Sequence, residues 1–363
     1  MIPFFKRNYW ISLGLIALFI RLLFVVWPIS YEWFYRDTLF PVIRFLFDNS
    51  FGYLPFAAAY FMVPLLLGYF FYLFYKWLKL IFIDHHFKKA LVSSINFIMG
   101  FTFLFLFLWG FHYTRTPIES IIQLPVQDGL TSHELEEEII QIHQACTTLR
   151  SKISQNNDQA LNDSVYGKNM ADTIRYLEKS VLTKIGVPVS GYVPTRFIQP
   201  NGLLLRFNAS GIYLPFTGEA HIEEALPMYV KTFTTAHELA HGFGYGSEAS
   251  CNFVAYITCM SAKDPTIQYA GQFAYLRYLL AALKRITPTD SYKAFRKKTI
   301  SKQVNHDLDL LYAIYDRYPG IADQFQRRAY DLYLKSQGIK EGIRSYNRMI
   351  ILCYAWRKLS RSK

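Results

Sequence analysis

Two histidines four residues apart, with a glutamate beside the first, form the clearest chemical pattern in the chain: His237-Glu238-Leu239-Ala240-His241. On a helix, positions i and i+4 share one face, so both imidazole rings can reach one metal ion. Glu238 is rotated by roughly 100° from His237 and would reach a water on the metal, not the metal itself. The pattern predicts a zinc (Zn²⁺) centre with His237 and His241 as ligands and Glu238 as the catalytic base.

A catalytic zinc site needs a third protein ligand and an open fourth position. The metzincin pattern would place a histidine six residues after His241, but that position is Ser247, so this arrangement is excluded. Glu248 follows at the start of the next helix and is our predicted third metal ligand. Its alternative role is to stabilise that helix N-terminus as an acidic residue. Asp264 and Glu224 are weaker alternatives for the third ligand.

Two side chains near this pattern have supporting or ordinary roles. Asn252 lies one helical turn after Glu248 and could orient a ligand. His221 is predicted to be a surface histidine and not a ligand. The polar side chains around the motif argue against a protease site inside the bilayer: Lys231, Thr232, Thr234, Thr235 and Glu238. Two plain alternatives remain, a chance match to the motif and a metal-free relic that keeps it for packing.

Upstream of the motif, residues 211–220 are predicted to form a strand that ends in a turn. Pro215 is compatible with an edge strand and not with a central one. Extended peptides can bind along such an edge through main-chain hydrogen bonds, which predicts a substrate site there. An ordinary hairpin that covers the helix is the alternative.

Three apolar stretches before residue 112 are long enough to span a bilayer, which takes about 20 residues. We predict transmembrane helices at about residues 9–29, 53–75 and 91–111, so that residues 1–111 form a membrane anchor. Residues 112–363 are predicted to form one extracytoplasmic domain. Arg21 lies within the first span, where it either faces a polar neighbour or extends to one interface.

Charge is distributed unevenly along a chain whose formal net charge is +12. Basic residues precede the first span and lie between the second and third, so both segments are predicted to be cytoplasmic. The domain after the third span then lies in the periplasm or outside the cell, and the protein in the bacterial inner (cytoplasmic) membrane. That domain is nearly neutral up to residue 338, which argues against nucleic acid as a partner. The lipid bilayer is a predicted partner.

The remaining sequence predicts a mainly α fold: three transmembrane helices, then an α+β zincin-like domain with a small β region. A capping-box pattern opens a helix at residues 131–154, and a second helix is predicted at 170–184. Residues 186–216 are the β region, and residues from 223 onward are predicted to be largely helical. The four cysteines, Cys146, Cys251, Cys259 and Cys353, are predicted to be buried free thiols. The basic end of the chain, residues 344–363, is too short an apolar run to span and is predicted to be a helix packed on the domain, with membrane-surface contact as the alternative.

Several segments together resemble a bacterial family of membrane-anchored HExxH proteins classified as a domain of unknown function (DUF3810-like), which is related in motif to the gluzincin zinc metallopeptidases. The similar segments are residues 108–115, 211–219, 236–248, 252–256 and 342–346. The resemblance implies a zinc-peptidase-like domain with His237 and His241 as ligands and Glu238 as base. It also suggests Tyr346 as the oxyanion stabiliser, with a core or interface position as the alternative for this tyrosine. In the family pattern an acidic residue precedes an Asn-Phe pair, which is Asn252-Phe253 in this chain. Glu248 lies two residues further from that pair than the family's acidic residue does.

The residues and the resemblance together predict a membrane-anchored zinc metallopeptidase that hydrolyses a peptide or protein substrate outside the cytoplasm. The alternative from another class is a non-catalytic zinc-binding membrane scaffold or sensor. A second alternative is a zinc hydrolase that acts on a lipid-borne or cell-wall substrate near the bilayer.

Overall fold

The computed structural model describes residues 8–156, 158–167, 169–321, 323–338 and 348–361. It is mainly helical, with 72% helix and 4% strand, which confirms the mainly α fold with a small β region. The chain divides into two compact units. The first comprises Met1–Arg115, Gly191–Pro194 and Leu214–Glu219, and the second comprises Thr116–Ser190, Thr195–Tyr213 and Ala220–Lys363.

Three helices of the first unit are long and apolar enough to cross a membrane: α1 (Tyr9–Val26), α3 (Ala59–Phe82) and α4 (Phe87–Leu108). Their apolar side chains are mostly exposed, which is the pattern of a helix surrounded by lipid and not by protein. Helix α1 packs on α4 where each carries a glycine. A methyl group on Gly14 would come within 2.6 Å of the Met99 backbone oxygen, so the two helices approach closely there.

Helix α3 is shifted towards the C-terminus relative to the predicted second span, residues 53–75. Helix α3 begins at Ala59 and continues to Phe82, so Lys76 and Lys79 lie within its last turns and not in a loop. The helix can include them because long lysine side chains reach the interface while their stems stay against apolar surface. Between α1 and α3, a π-helix at Tyr31–Leu39 is followed by α2 (Phe40–Asp48).

The second unit contains the helices α5 to α13. Both helices predicted early in this unit are observed, α5 at Ser132–Ile153 and α6 at Met170–Lys184. The capping box that predicted α5 is present, with Glu134 N–H donating to the Thr131 side chain. The later helices are α7 (Met228–Gly242), α8 (Glu248–Ser261), α9 (Pro265–Ile286), α10 (Thr289–Thr299), α11 (Lys302–Arg317), α12 (Asp323–Ser336) and α13 (Arg348–Arg361).

Three short strands form the sheet: β1 (Thr195–Ile198), β2 (Gly211–Leu214) and β3 (Glu219–Glu223), in the order β1-β3-β2. Strand β3 pairs in parallel with β1, and Ala220 lies opposite Thr195. A short turn joins β2 to β3, a connection that only antiparallel neighbours can have. The β region therefore extends past its predicted end at residue 216, because the central strand β3 follows the turn. Strand β2 lies at an edge of the sheet, as Pro215 indicated.

The core of the second unit lies around α7, which packs against α6, α8 and α9. Nearly every residue of α7 is buried, Lys231 included. The hydroxyl of the buried Thr232 is satisfied within the helix, since it donates to the Met228 carbonyl. The four cysteines are buried and free, as predicted. Helix α13 buries one face, including Met349 and Cys353, which agrees with the predicted packed helix.

Candidate metal centre

Helices α7 and α8 position the side chains of the HExxH motif and of Glu248. Helix α7 ends at Gly242, and Gly244 adopts φ +89°, a conformation that favours glycine and allows the sharp turn into α8. The Tyr245 N–H donates to the Ala240 carbonyl and closes the helix end. Because the turn is short, the first residue of α8, Glu248, returns to the face of α7 that carries the histidines.

Three ligand-type side chains meet at this point. His237 Nε2 lies 3.2 Å from His241 Nε2 and 3.1 Å from Glu248 Oε2, and His241 Nε2 lies 3.6 Å from Glu248 Oε1. All three side chains are buried or nearly so. The structure therefore brings together the three residues that the sequence analysis predicted as metal ligands.

Each ring has an oxygen atom within hydrogen-bonding distance of its Nδ1 atom. His237 Nδ1 lies 3.0 Å from Asn252 Oδ1, and His241 Nδ1 lies 2.8 Å from the Tyr245 carbonyl oxygen. A neutral ring that donates from Nδ1 presents a lone pair at Nε2. Two such lone pairs and a carboxylate then face one another at about 3 Å, an arrangement that requires a proton or a cation between them.

The spacing fits a tetrahedral metal. Zinc binds imidazole nitrogen and carboxylate oxygen at about 2.0–2.2 Å, which places tetrahedral ligand atoms roughly 3.3–3.5 Å apart. The observed separations of 3.1, 3.2 and 3.6 Å bracket that value. Two histidines and one glutamate also form a donor set that catalytic zinc sites use, with one position left for water. The residues present therefore fit a zinc ion.

Glu238 is close to this group but is held differently. Its carboxylate, His237 and His241 each offer a ligand atom within 4.8 Å of the others, so proximity alone would make Glu238 a possible ligand. Glu248 is the better third ligand because its oxygens lie at 3.1 and 3.6 Å from the two Nε2 atoms. Glu238 instead accepts a hydrogen bond from the Tyr213 backbone and contacts Gly211 on strand β2.

Burial and nearby charge set the protonation of the three central groups. Burial raises the pKa of Glu238, and the two histidines only partly oppose that effect. Burial would also raise the pKa of Glu248, but His241 and His237 outweigh it and hold that pKa well below its usual value. Burial by itself would lower the pKa of His241, yet Cys251 and Glu248 shift it well above its usual value. The two glutamates thus differ: Glu248 stays ionised beside the histidines, whereas Glu238 holds a proton more readily.

The two alternatives for the third ligand, Asp264 and Glu224, take part in other interactions. The Asp264 side chain accepts the Thr266 N–H and caps helix α9, and Glu224 pairs with Lys231. The expectation that His221 lies on the surface was wrong. It is 2% exposed because it lies on the central strand β3, where its Nδ1 is 3.3 Å from the Ile212 carbonyl oxygen. Tyr346, implied by the resemblance, lies outside the described residues.

Sequence reasoning missed three side chains near the centre. The Tyr330 hydroxyl on α12 donates to Glu248 Oε1 at 2.6 Å, and nothing in the sequence connects residues so far apart. The Cys251 thiol lies 3.3 Å from His241 Nδ1, on the side of the ring away from Glu248. Cys251 follows Glu248 by three residues, so helical spacing could have identified it. Glu178 on α6 is fully buried, and neither of its carboxylate oxygens has a hydrogen-bond partner among the described residues.

Comparison with known proteins identifies the family and no closer relative. No curated protein matches the chain. No solved structure matches it either. Residues 35–354 match a family described as protein of unknown function, DUF3810, and this match includes helices α3 and α4 and the whole candidate metal centre. The chain therefore belongs to the DUF3810 family.

Proposed function

We propose that the protein is a membrane-anchored, zinc-dependent metallopeptidase that hydrolyses peptide bonds. The observation that supports this most directly is the pair of roles taken by two buried glutamates. Glu248 lies 3.1 Å from His237 Nε2, as a metal ligand must, while Glu238 lies beside the cluster and is bonded to strand β2. A metal site built only for structure has no need of the second carboxylate.

The proposed mechanism assigns one task to each side chain. His237, His241 and Glu248 hold the zinc ion, which when bound supplies the Lewis acidity that activates water and polarises a carbonyl. Glu238 accepts the proton of the attacking water and passes it to the leaving amine. Burial raises the pKa of Glu238, which suits a group that must hold a proton between these two transfers. Asn252 and the Tyr245 carbonyl keep the two rings in the tautomer that ligates.

The edge strand supports a peptide as the substrate class. Strand β2 lies at one end of the order β1-β3-β2, so one of its sides has no neighbouring strand among the described residues. An extended peptide can add there as a further strand through main-chain hydrogen bonds. Gly211 and Tyr213 of this strand contact Glu238, so a peptide bound along β2 would pass beside the proposed base.

The proposed location follows from the apolar helices and the flanking charges. Helices α1, α3 and α4 have the length and composition to cross a bilayer. Lysines and arginines before α1 and around the α3–α4 connection favour a cytoplasmic position for those segments. The metal centre then lies outside the cytoplasm of a bacterial inner membrane, where the substrate would be a peptide or an exposed protein segment.

The test is cleavage of a peptide library by the full-length protein in detergent, compared with Glu238→Gln and with Glu224→Gln as a matched control. Glu224 is a partly exposed glutamate paired with Lys231, so its replacement keeps the same chemistry away from the proposed base. We expect wild type and Glu224→Gln to cleave, and Glu238→Gln to bind zinc but lose about 10²–10⁴-fold in rate.

Two other outcomes would replace the proposal. Zinc binding without any cleavage that depends on Glu238 would favour the non-catalytic scaffold or sensor. Hydrolysis of lipid-borne or cell-wall substrates, with no cleavage of peptides, would favour the other zinc hydrolase.

A further inference from the structure

Arg44, on helix α2 between the first two apolar helices, is fully buried. Its Nη1 donates to the Gly218 carbonyl at 2.7 Å, and its Nε donates to Asp48 Oδ1 at 3.0 Å. Gly218 lies in the turn between β2 and β3. A buried guanidinium is costly to leave unpaired, so these bonds fix the position of the turn relative to α2.

Asp48 extends the same set of contacts to a second segment. Its carboxylate accepts the Tyr192 N–H at 2.7 Å and the Val193 N–H at 3.2 Å, directly before strand β1. The Ala58 N–H, at the start of helix α3, donates to Glu219 Oε2 at 2.9 Å at the beginning of β3. All of these contacts lie within the first compact unit. We call Arg44 and Asp48, together with the β2–β3 turn that Arg44 binds at Gly218, the hairpin clamp.

Two glycines, Gly218 and Gly191, lie directly against Arg44. Gly218 adopts φ +66°, and a methyl group there would come within 2.7 Å of Arg44 Nη2. Gly191 adopts φ +87°, and a methyl group there would come within 2.2 Å of Arg44 Cγ. Both positions need glycine for conformation and for space. The backbone therefore lies close to the Arg44 side chain at both glycines, so the position of Arg44 between them is well defined.

The other end of the same hairpin touches the proposed base. Strand β2 begins at Gly211, where a methyl group would come within 2.7 Å of Glu238 Oε1. The Tyr213 backbone donates a hydrogen bond to Glu238. These contacts lie within the second unit. One continuous segment of chain, residues 211–218, therefore contacts Glu238 near its beginning and Arg44 at its end, and it includes a four-residue strand about 13 Å long.

We propose that Arg44 and Asp48 are positioning residues, which hold the β2–β3 hairpin and through it set the orientation of Glu238. The effect on catalysis rests on the proposed function, whereas the claim that Arg44 and Asp48 hold the hairpin does not. Small displacements of a catalytic group can cost about 10²-fold in rate, so the clamp would act on the chemical step.

The experiment compares full-length wild type in detergent with Arg44→Gln and with Arg36→Gln as a matched control. Arg36 lies on the adjacent π-helix and is partly exposed, with ion pairs to Glu32 and Asp37. Three quantities are measured: zinc content, hydrogen–deuterium exchange of the hairpin, and kcat and KM for a cleaved peptide. We expect Arg44→Gln to keep its zinc, to exchange the amides of residues 211–223 about 10-fold faster, and to lose about 10-fold in kcat with little change in KM.

The outcomes separate the clamp from general destabilisation. Faster exchange throughout α7 and α8, or a hairpin that exchanges as in Arg36→Gln, would overturn the proposal. If Arg44→Gln does not fold, Arg44→Lys keeps the charge without the fork and should give the same pattern at about 2- to 5-fold. If wild type cleaves no peptide, the proposed function fails, and the exchange of residues 211–223 still decides whether the clamp holds the hairpin.

Discussion

The backbone of Gly211 lies directly against Glu238: a methyl group on the glycine would come within 2.7 Å of Glu238 Oε1 and of Thr234 Cγ2. We therefore predict that Gly211→Ala moves either strand β2 or the Glu238 carboxylate. Cleavage should fall by about 10- to 100-fold while zinc content stays unchanged, because the ligands lie on α7 and α8. Gly129→Ala is the control, since a methyl group there meets nothing within 4 Å. Equal activity of both variants would show that the contact has no catalytic role.

Asn252 is predicted to strengthen metal binding through His237. Its Oδ1 lies 3.0 Å from His237 Nδ1 and also accepts the Tyr278 hydroxyl at 3.2 Å. Removing this acceptor in Asn252→Ala frees the ring to rotate and to change tautomer, so the zinc Kd should rise about 10- to 100-fold. Chelator competition measures this, with Asn162→Ala as a control because Asn162 only caps a 3₁₀ turn. An unchanged Kd would mean that His237 is oriented by packing alone.

Glu178 should make the fold less stable as the pH rises. Burial raises its pKa well above the usual value, against the smaller opposing effects of Arg175 and His241. Glu178 therefore stays protonated to a higher pH in the folded state than in the unfolded state. Its contribution to stability is fully present below the unfolded pKa and is lost as the pH rises towards the folded pKa.

The matching measurement is chemical unfolding of wild type and Glu178→Gln between pH 4 and pH 8. We expect the variant to gain about 1–3 kcal/mol relative to wild type at the upper end, and little at pH 4. Glu137→Gln, at an exposed position, should show no such trend. A constant difference across this range would indicate that Glu178 does not titrate differently on folding.

The local parts of the fold could be predicted because their signals are local. The capping box at Thr131 and Glu134 determined where α5 starts, and the HExxH spacing placed both histidines on one face of α7. The position of Glu248 at the start of the helix after the motif also follows from local sequence, and α8 begins at that residue. Each of these features depends on residues within a few positions of one another.

Features that depend on distant packing could not be predicted. Tyr330 reaches Glu248 across 82 positions of sequence, and Arg44 reaches Gly218 across 174. His221 seemed to be a surface residue because nothing in its neighbours shows that β3 is the central strand. The burial of Lys231 and of the threonines of α7 also depends on packing against α6, α8 and α9, which no local pattern in α7 shows.

The most direct test of the account is the zinc content of the full-length protein, measured by elemental analysis for wild type, His241→Ala, Glu248→Gln and Asp264→Asn. Asp264→Asn is the matched control, because asparagine can cap α9 as aspartate does. If His237, His241 and Glu248 hold zinc, we expect about one zinc ion per chain in wild type and in the control. We expect loss of zinc in His241→Ala and weakened retention in Glu248→Gln. Absence of zinc from wild type, or equal zinc in all four proteins, would contradict it.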